Sequence, residues 1–488
     1  MKVGVIADIH SNQTAFRACV DYMVNAGCEE YLLLGDFISD TAGARQTMEL
    51  LYELMEQFPC HVLRGNREEY MIEQRKIREK EEEEKFWLAN SASGNLLYTY
   101  RQLTERDLDF FESLPITFRY EKEGYPAFTC CHGSPVNTRE LLQLDSDRTK
   151  EVLEEIDTDY LLAAHTHFPG ISRYQGKTYM NTGSCGIAIG DPGYAHAIIL
   201  ESGQNEWKPE FLRIPYDSNQ VILDIFTSGL YDMAPWFLNN NLHILLTGTD
   251  LTPELVNLAA KLQEENDMGA KRWPHIEEKY FAQAADSLKI PDYTFLRYIR
   301  PAVKEDTGKI LELYHSMIGG AAGWNEYYPG IDTIESDLSR NALFVMENED
   351  GELLASISID ADEAVDSLKC WNQTLLPGAE LARLCIRKEY QNKKLARMMM
   401  AYAMNVLRKQ GKRSVHILVR EGRRETESGI VSFYSPRSVD PHDQIRVEVV
   451  VEPRFDRLPA GGRRRVSVAV YDVSPATVPG GKQVVGVP

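Results

Sequence analysis

Long apolar runs are missing from this chain. None reaches the roughly 18–20 residues that a bilayer-spanning helix needs. The N-terminus, Met1-Lys2-Val3-Gly4-Val5-Ile6, enters a strand-like pattern directly, without the charged head and long apolar stretch of a signal peptide. No two of the eight cysteines (Cys19, Cys28, Cys60, Cys130, Cys131, Cys185, Cys370 and Cys385) form a CxxC pair. Free thiols in a reducing compartment are therefore expected, not a disulfide framework or zinc ribbon. Basic charge is also short: 53 Lys and Arg stand against 73 Asp and Glu, a net charge of −20. Phosphate backbones require Lys and Arg, so broad nucleic-acid binding is not expected. Together these absences predict a cytoplasmic protein with no membrane partner.

What is present fits a globular chain of two to four domains: 488 residues, 43% hydrophobic and 26% charged. Apolar runs at 2–7, 30–34 and 60–64 each end in a polar cluster, with helix-like stretches at 12–26 and 42–58 between them. That alternation predicts an α/β layered domain over 1–240. Further strands are expected at 116–120, 126–132, 159–164, 178–181, 195–200 and 209–214. A charged helix is expected from about 67 to 88, with Glu81-Glu82-Glu83-Glu84 on its solvated face. Residues 216–290 read as helices, among them Pro253–Glu265 and His275–Lys289, and 241–295 are taken as a helical appendage.

A second α/β domain is expected over 296–435. Its elements are a strand from Leu296, helices at 304–317 and 332–340, strands at 342–347, 353–360 and 379–386, a helix at 392–410 and a strand at 414–419. Leucine then almost vanishes: residues 421–488 hold 14 Val but one Leu, Leu458, and nine of their ten bases are Arg. The segment 436–488 reads as an atypical Arg/Val/Pro-rich tail, either a β-hairpin (Ile445–Glu452 with Arg465–Asp472) or a frame-shifted end.

The first domain sets polar residues just past its strand ends: Asp8-Ile9-His10, Gly35-Asp36, Gly65-Asn66, His132-Gly133 and His165-Thr166-His167. Open α/β sheets bind ligands at the carboxyl ends of their strands. Carboxylate, imidazole and amide oxygen suit divalent Mn, Fe, Co, Ni or Zn. Two such ions clamp a phosphate and activate a water, and Asp36, on the middle strand end, is the natural bridge. Asn12 could reach a phosphate or cap the following helix. Arg139 could bind substrate or be an exposed helix residue. His61 and His196, in strand-like runs, read as satisfied core residues.

This ordered set resembles the calcineurin-like metallophosphoesterase family, in particular its small bacterial and archaeal phosphodiesterase branch. The resemblance rests on Asp-Ile-His-Ser-Asn (8–12), Gly-Asp (35–36), Gly-Asn (65–66), His-Gly-Ser-Pro (132–135), His-x-His (165–167) and Asn-Thr-Gly-Ser (181–184). It implies a four-layer β-sandwich flanked by helices. It also implies two metal ions, one on Asp8, His10, Asp36 and His167, the other on Asp36, Asn66, His132 and His165. Asp36, His132 and Arg67 would then be catalytic. Many members have His as general acid where this chain has Arg67, and arginine cannot donate a proton at neutral pH. A good leaving group is therefore expected of the substrate, which is either a small-molecule phosphate ester or a phosphoprotein.

Residues 297–435 resemble the GNAT N-acetyltransferase family through Ile299-Arg300-Pro301-Ala302, Ala382-Arg383-Leu384-Cys385-Ile386 and Tyr390-Gln391-Asn392-Lys393-Lys394-Leu395-Ala396. The resemblance implies acetyl-CoA and an amine acceptor. The backbone of Leu384, Cys385 and Ile386 would meet the pantetheine. The loop Gln391, Asn392, Lys393, Lys394, Leu395 and Ala396 would cradle the pyrophosphate at a helix N-terminus. Tyr434 would protonate the leaving thiolate. Lys394 stands where the family has glycine, and the Gly-Phe expected after Tyr434 is missing. An acyl-CoA-binding or interaction module without turnover is therefore the alternative to a transferase, as a Ser/Thr protein phosphatase is for the first domain. The face Met398, Met399, Met400 and Met404 reads as core.

Overall fold

A computed structural model describes residues 1–203, 206–266, 273–319, 324–360, 377–391, 395–420, 447–451 and 466–472. The chain divides into two compact units, Met1–Arg297 and Tyr298–Pro488. No helix among the described residues is long and apolar enough to cross a membrane.

The first unit is built on two five-stranded sheets. One runs β10-β9-β1-β2-β3, from β1 (Lys2–Ile6), β2 (Glu30–Leu34), β3 (Cys60–Leu63), β9 (Tyr194–Ser202) and β10 (Trp207–Pro215). The other runs β4-β5-β6-β8-β7, from β4 (Thr117–Tyr120), β5 (Phe128–Cys131), β6 (Tyr160–Ala163), β7 (Pro169–Tyr174) and β8 (Lys177–Thr182). Strands β1, β2 and β3 are mutually parallel, as are β5, β6 and β8. Side chains alternate across a strand, so Val3 and Val5, Leu32 and Leu34, and Ile198 and Leu200 all point one way. They meet Phe128, Cys130, Leu162 and Met180 of the facing sheet in one core.

Both sheets are covered on their outer faces, which is why β1 and β2 read as unbroken apolar runs and not as alternating patterns. The helix Gln13–Asn25 buries Phe16, Cys19 and Met23, and Ala44–Gln57 buries Met48, Leu51 and Leu54. The helix Asp147–Glu155 lays Val152 and Leu153 on Leu161, Ala163 and Tyr179 of the second sheet. The result is the expected four layers: helices, sheet, sheet, helix.

Two local expectations are corrected. The charged helix is Asn66–Glu79, shorter than expected, and Glu81 adopts a left-handed φ of 57°. A run of four glutamates at a helix C-terminus would face both mutual repulsion and the negative end of the dipole. Strand β7 is absent from the expected strands, and it begins with Pro169 and Gly170, both poor strand formers. It lies at a sheet edge, where proline is tolerated. The helices that follow β10 are Ser218–Thr227, Leu230–Met233, Pro235–Thr247, Thr252–Asn266 and Glu278–Ser287, with Leu255, Ala259, Tyr280, Phe281 and Ala284 in a core of their own.

The second unit has one seven-stranded sheet, ordered β11-β12-β13-β14-β15-β17-β16. Its strands are β11 (Ile299–Pro301), β12 (Leu343–Glu347), β13 (Leu353–Asp360), β14 (Gly378–Ile386), β15 (Ser414–Arg420), β16 (Val447–Val451) and β17 (Val466–Asp472). Every neighbouring pair is antiparallel except β14 and β15. The helices Thr307–His315 and Ile331–Ser339 supply Ile310, Leu313, Tyr314 and Ile334 to a core with Leu343, Val345, Leu353 and Cys385. On the helix Leu395–Lys409, Met398, Met399 and Met400 are buried, in keeping with a core role.

One partly buried ion pair of the first unit gives a pH signature. Asp191 contacts Arg213 and lies 3.1 Å from His196 Nε2. Burial alone would raise its carboxyl, but His196 and Arg213 outweigh burial and hold it at about 2. A depressed carboxylate stabilises the fold above its unfolded pKa, and the gain disappears as pH falls through the folded value. Asp191→Asn is therefore expected to cost about 2 kcal/mol at pH 7. In urea titrations the gap to wild type should close between about pH 4 and pH 2.

Candidate metal centre and acyl-CoA edge

The strand ladder of the first sheet continues past the strand ends. Asp8 N donates to Gly35 O at 3.1 Å, His10 N to Asp36 O at 3.0 Å and Ser11 N to Phe37 O at 2.9 Å. Asp8, His10, Asp36, His165 and His167 all have left-handed φ, between 51° and 67°. That conformation costs an L-residue roughly 1–2 kcal/mol, and five such residues at one edge concentrate strain there. Gly65 lets the third strand end close in: a Cβ on it would stand 2.2 Å from Asp36 Oδ1. Its neighbour across the gap, Gly35 at φ 84°, would put a Cβ 2.3 Å from Gly65 N.

The seven residues expected at a metal site converge on this edge. Asp8 Oδ1 lies 3.7 Å from His10 Nε2, 3.5 Å from His167 Nε2 and 3.8 Å from His132 Nε2. Asp36 Oδ2 lies 3.4 Å from His132 Nε2 and 4.0 Å from His10 Nε2. Asn66 Oδ1 is 3.1 Å from His132 Nε2, and the His132 and His165 ring centroids are 5.0 Å apart. Two groups emerge, each with ligand atoms within 4.8 Å of one another: Asp8, His10 and His167, and Asp36, His132 and His165.

Outer partners orient the rings. His132 Nδ1 faces the Leu34 carbonyl at 2.8 Å, His167 Nδ1 the Ile187 carbonyl at 2.9 Å, and His10 Nδ1 the Asp40 carboxylate at 2.9 Å. These contacts turn Nδ1 of each ring outward, so Nε2 faces the centre. His10 Nε2 and His167 Nε2 are then 3.0 Å apart. Two lone pairs at that separation repel unless a proton or cation lies between them. Asp8 Oδ1, fully buried, also has no hydrogen-bond partner among the described residues. The donor set therefore fits a cation.

The electrostatics follow from burial and proximity. Burial would raise the Asp8 carboxyl, but His167 and His132 outweigh it and hold it low. Asp36 is likewise driven down, against burial, by His132, His10 and Arg67. Burial would lower His132, yet Asp36 and Asp8 push it up to about 10. His165 goes the other way, to about 4, through burial and the nearby His132.

Two residues here were not anticipated. Asp40 is buried between His10 and Arg67, whose Nη2 is 2.8 Å from its Oδ2, while Asn95 donates to its other oxygen at 2.8 Å. Glu68 accepts from three backbone N–H groups: Gly65 and Phe37 at 2.8 Å and Asp36 at 2.9 Å. Burial and Asp36 push its carboxyl up to about 7. The capping spacing of Glu68, three residues after Gly65, was a readable signal; nothing local marked Asp40. Arg67 lies at the site, its Nε 3.8 Å from Asp36 Oδ2 and its backbone N donating to Asp36 Oδ1 at 2.8 Å.

The remaining polar candidates separate. Asn12 caps the helix Gln13–Asn25, accepting from Ala15 N at 3.0 Å, and donates to Gly186 O. His196 is buried against Asp191. His61 has a partner in Glu30 at 2.7 Å, but its side chain is 44% exposed, so it is not core. Arg139 lies on a turn, not a helix.

In the second unit, β14 pairs with β15 over Gly378–Glu380 alone among the described residues, although β14 runs on to Ile386 and β15 to Arg420. The strands part there, and Leu384, Cys385 and Ile386 lie on the parted edge. Just before them a bulge against β13 carries Arg383 at φ 50°. Its buried guanidinium meets Asp337 Oδ1 at 2.8 Å and also Asp360. Gln391 Nε2 donates to the Ile386 carbonyl at 3.1 Å. Leu395 and Ala396 open the helix Leu395–Lys409. Asn392, Lys393, Lys394 and Tyr434 lie outside the described residues.

Comparison with known proteins finds two families along the chain. Residues 1–204 match the family model of the calcineurin-like phosphoesterase superfamily domain. Residues 309–427 match that of the acetyltransferase (GNAT) family. The chain thus joins a calcineurin-like phosphoesterase domain to a GNAT acetyltransferase domain. An uncharacterised protein of Methanocaldococcus jannaschii is 23% identical over 241 residues, spanning 47% of this chain and 93% of that protein. A hypothetical protein of Pyrococcus horikoshii superposes with TM-score 0.42 at 19% identity, covering 48% of this chain and 97% of the other. A metallophosphoesterase of Sphaerobacter thermophilus gives TM-score 0.39 at 21% identity, covering 49% of this chain and all, 100%, of the other.

The Glu68 clamp has a stability consequence. Glu68→Ala leaves three buried N–H groups without their acceptor and is expected to cost roughly 2–5 kcal/mol. The exposed Glu83→Ala should stay within about 0.5 kcal/mol of wild type in the same denaturant titration.

Proposed function

We propose that the first unit hydrolyses a phosphate ester with two divalent cations, drawn from Mn, Fe, Co, Ni and Zn. The observation that carries this reading is the meeting of the unpartnered Asp8 Oδ1 with two facing Nε2 atoms, beside a second group built on Asp36 and His132. Asp8, His10, Asp36 and His167 would hold one ion, and Asp36, Asn66, His132 and His165 the other. Bound there, the ions supply Lewis acidity and a water of lowered pKa.

The chain's own residues do the rest. Arg67, held by Asp40, offers its guanidinium to the phosphoryl oxygens and to the charge that grows on them in the transition state. It stays protonated and gives no proton to the leaving group, so esters of good leaving groups are favoured. Glu68 fixes the backbone of Asp36, and the carbonyls of Leu34 and Ile187 orient the rings of His132 and His167. A cytoplasmic setting is supported by the described cysteines, all of which are free thiols.

We infer that the second unit binds acetyl-CoA along the parted edge of β14, with an amine as acceptor. A binding module without transfer is favoured by Lys394 at the family's glycine position and by the missing Gly-Phe after Tyr434. Isothermal titration with acetyl-CoA is expected to give a 1:1 complex, and absence of binding would remove transferase and binding module alike.

A substrate panel with Mn²⁺ tests the first unit: bis-p-nitrophenyl phosphate, p-nitrophenyl phosphate, dinucleotides and phosphopeptides. Small phosphodiesters are expected to be cleaved best, and preference for phosphopeptides would turn the reading towards a protein phosphatase. Asp36→Ala and His132→Ala should each lower kcat roughly a hundredfold or more. Hydrolysis intact in either variant would refute the metal assignment.

A further inference from the structure

In an acidic chain, two arginines share one tyrosine at the rim of the metal edge. Tyr70 sits one turn beyond Arg67 on the helix Asn66–Glu79. The Arg67 guanidinium carbon lies 5.9 Å from the Tyr70 ring centroid and that of Arg139 lies 4.6 Å from it. Arg139 comes from the turn that follows His132, and that turn is pinned to the same helix. Thr138 Oγ1 donates to Glu69 Oε2 at 2.6 Å, and Arg139 N donates to Asn137 Oδ1 at 2.9 Å. The backbone beneath Arg139 is thus tied down, while its side chain remains 48% exposed.

Arg67 is committed to the reacting phosphate by its position beside Asp36. Arg139 faces no such demand. Its ionic partner, Glu73, stands 3.5 Å away and is itself 62% exposed, a surface pair of little energetic weight. A guanidinium stacked on an aromatic ring, with N–H groups left for a second anion, is a phosphate-recognition element.

We propose that Arg139, packed on Tyr70 beside Arg67, forms a second anion subsite, selecting nucleotide-sized phosphate esters that carry a further phosphate beside the one at the metal edge. This rests on the phosphoester reading above. One phosphate meets Arg67 and the metal ligands. The other meets Arg139, whose guanidinium, like that of Arg67, packs near the Tyr70 ring.

Equilibrium titration of the full-length protein, kept metal-free so that neither ester turns over, with thymidine 3′,5′-bisphosphate and thymidine 5′-monophosphate tests the subsite. Wild type is expected to bind the bisphosphate roughly tenfold more tightly. In Arg139→Ala that gap should close to about twofold, and in Arg139→Lys, which keeps a charge but not the fork, it should be partly kept. Equal affinities in wild type, or an undiminished gap in Arg139→Ala, would overturn the subsite. Bis-p-nitrophenyl phosphate hydrolysis after Mn²⁺ is added to the same samples reports separately on the phosphoester reading. A gap without hydrolysis leaves the subsite standing and removes that reading.

Discussion

Two carboxylates, Asp8 and Asp36, are buried at neighbouring strand ends, where a bare charge costs several kcal/mol to desolvate. The first unit is arranged around meeting that cost. His165 N donates to Asp8 Oδ2 at 3.0 Å and Arg67 N to Asp36 Oδ1 at 2.8 Å. Imidazoles crowd both carboxylates, and a ring of outer acceptors holds the imidazoles. The left-handed backbone of five site residues is a second cost, borne because the two sheets behind them are rigidly packed. A cluster of donors this strained and this buried is hard to explain as packing alone, and a pair of cations at its centre would balance it.

How much of this was readable from the sequence depends on where each constraint lies. Asp8, His10, Asp36, Asn66, His132, His165 and His167 stand out because each follows an apolar run, and strand ends are where a parallel sheet presents ligands. Asp40 was invisible for the opposite reason. Its partners His10, Arg67 and Asn95 come from other segments and meet it only after the sheets have formed. Strand β7 was hidden by edge chemistry, since Pro169 and Gly170 are poor strand residues except at an unpaired rim. The helix after Asn66 stops short of the glutamate run because the dipole at the helix end disfavours negative charge there.

The second unit follows the same logic with different means. Its proposed acyl-CoA edge lies where a sheet is interrupted. The β14 and β15 strands part beyond Glu380, and the bulge at Arg383 aims the next three residues along the parted edge. The apolar periods of β12 to β15 foretold the strands, but not the buried Arg383, whose two aspartates come from the helix Ile331–Ser339 and from β13. Such a network adds little net stability, yet breaking one partner is costly. That makes it a positioning device for the edge where Leu384, Cys385 and Ile386 lie.

The central claim is that the strand ends of the first unit hold two metal ions, and calorimetric titration of the metal-free full-length chain with Mn²⁺ tests it most directly. A stoichiometry near two per chain is predicted for wild type, falling in Asp36→Ala, which removes the carboxylate between the two groups of ligands. A wild-type protein that takes up no Mn²⁺, or an Asp36→Ala variant that still takes up two ions with unchanged affinity, would contradict it.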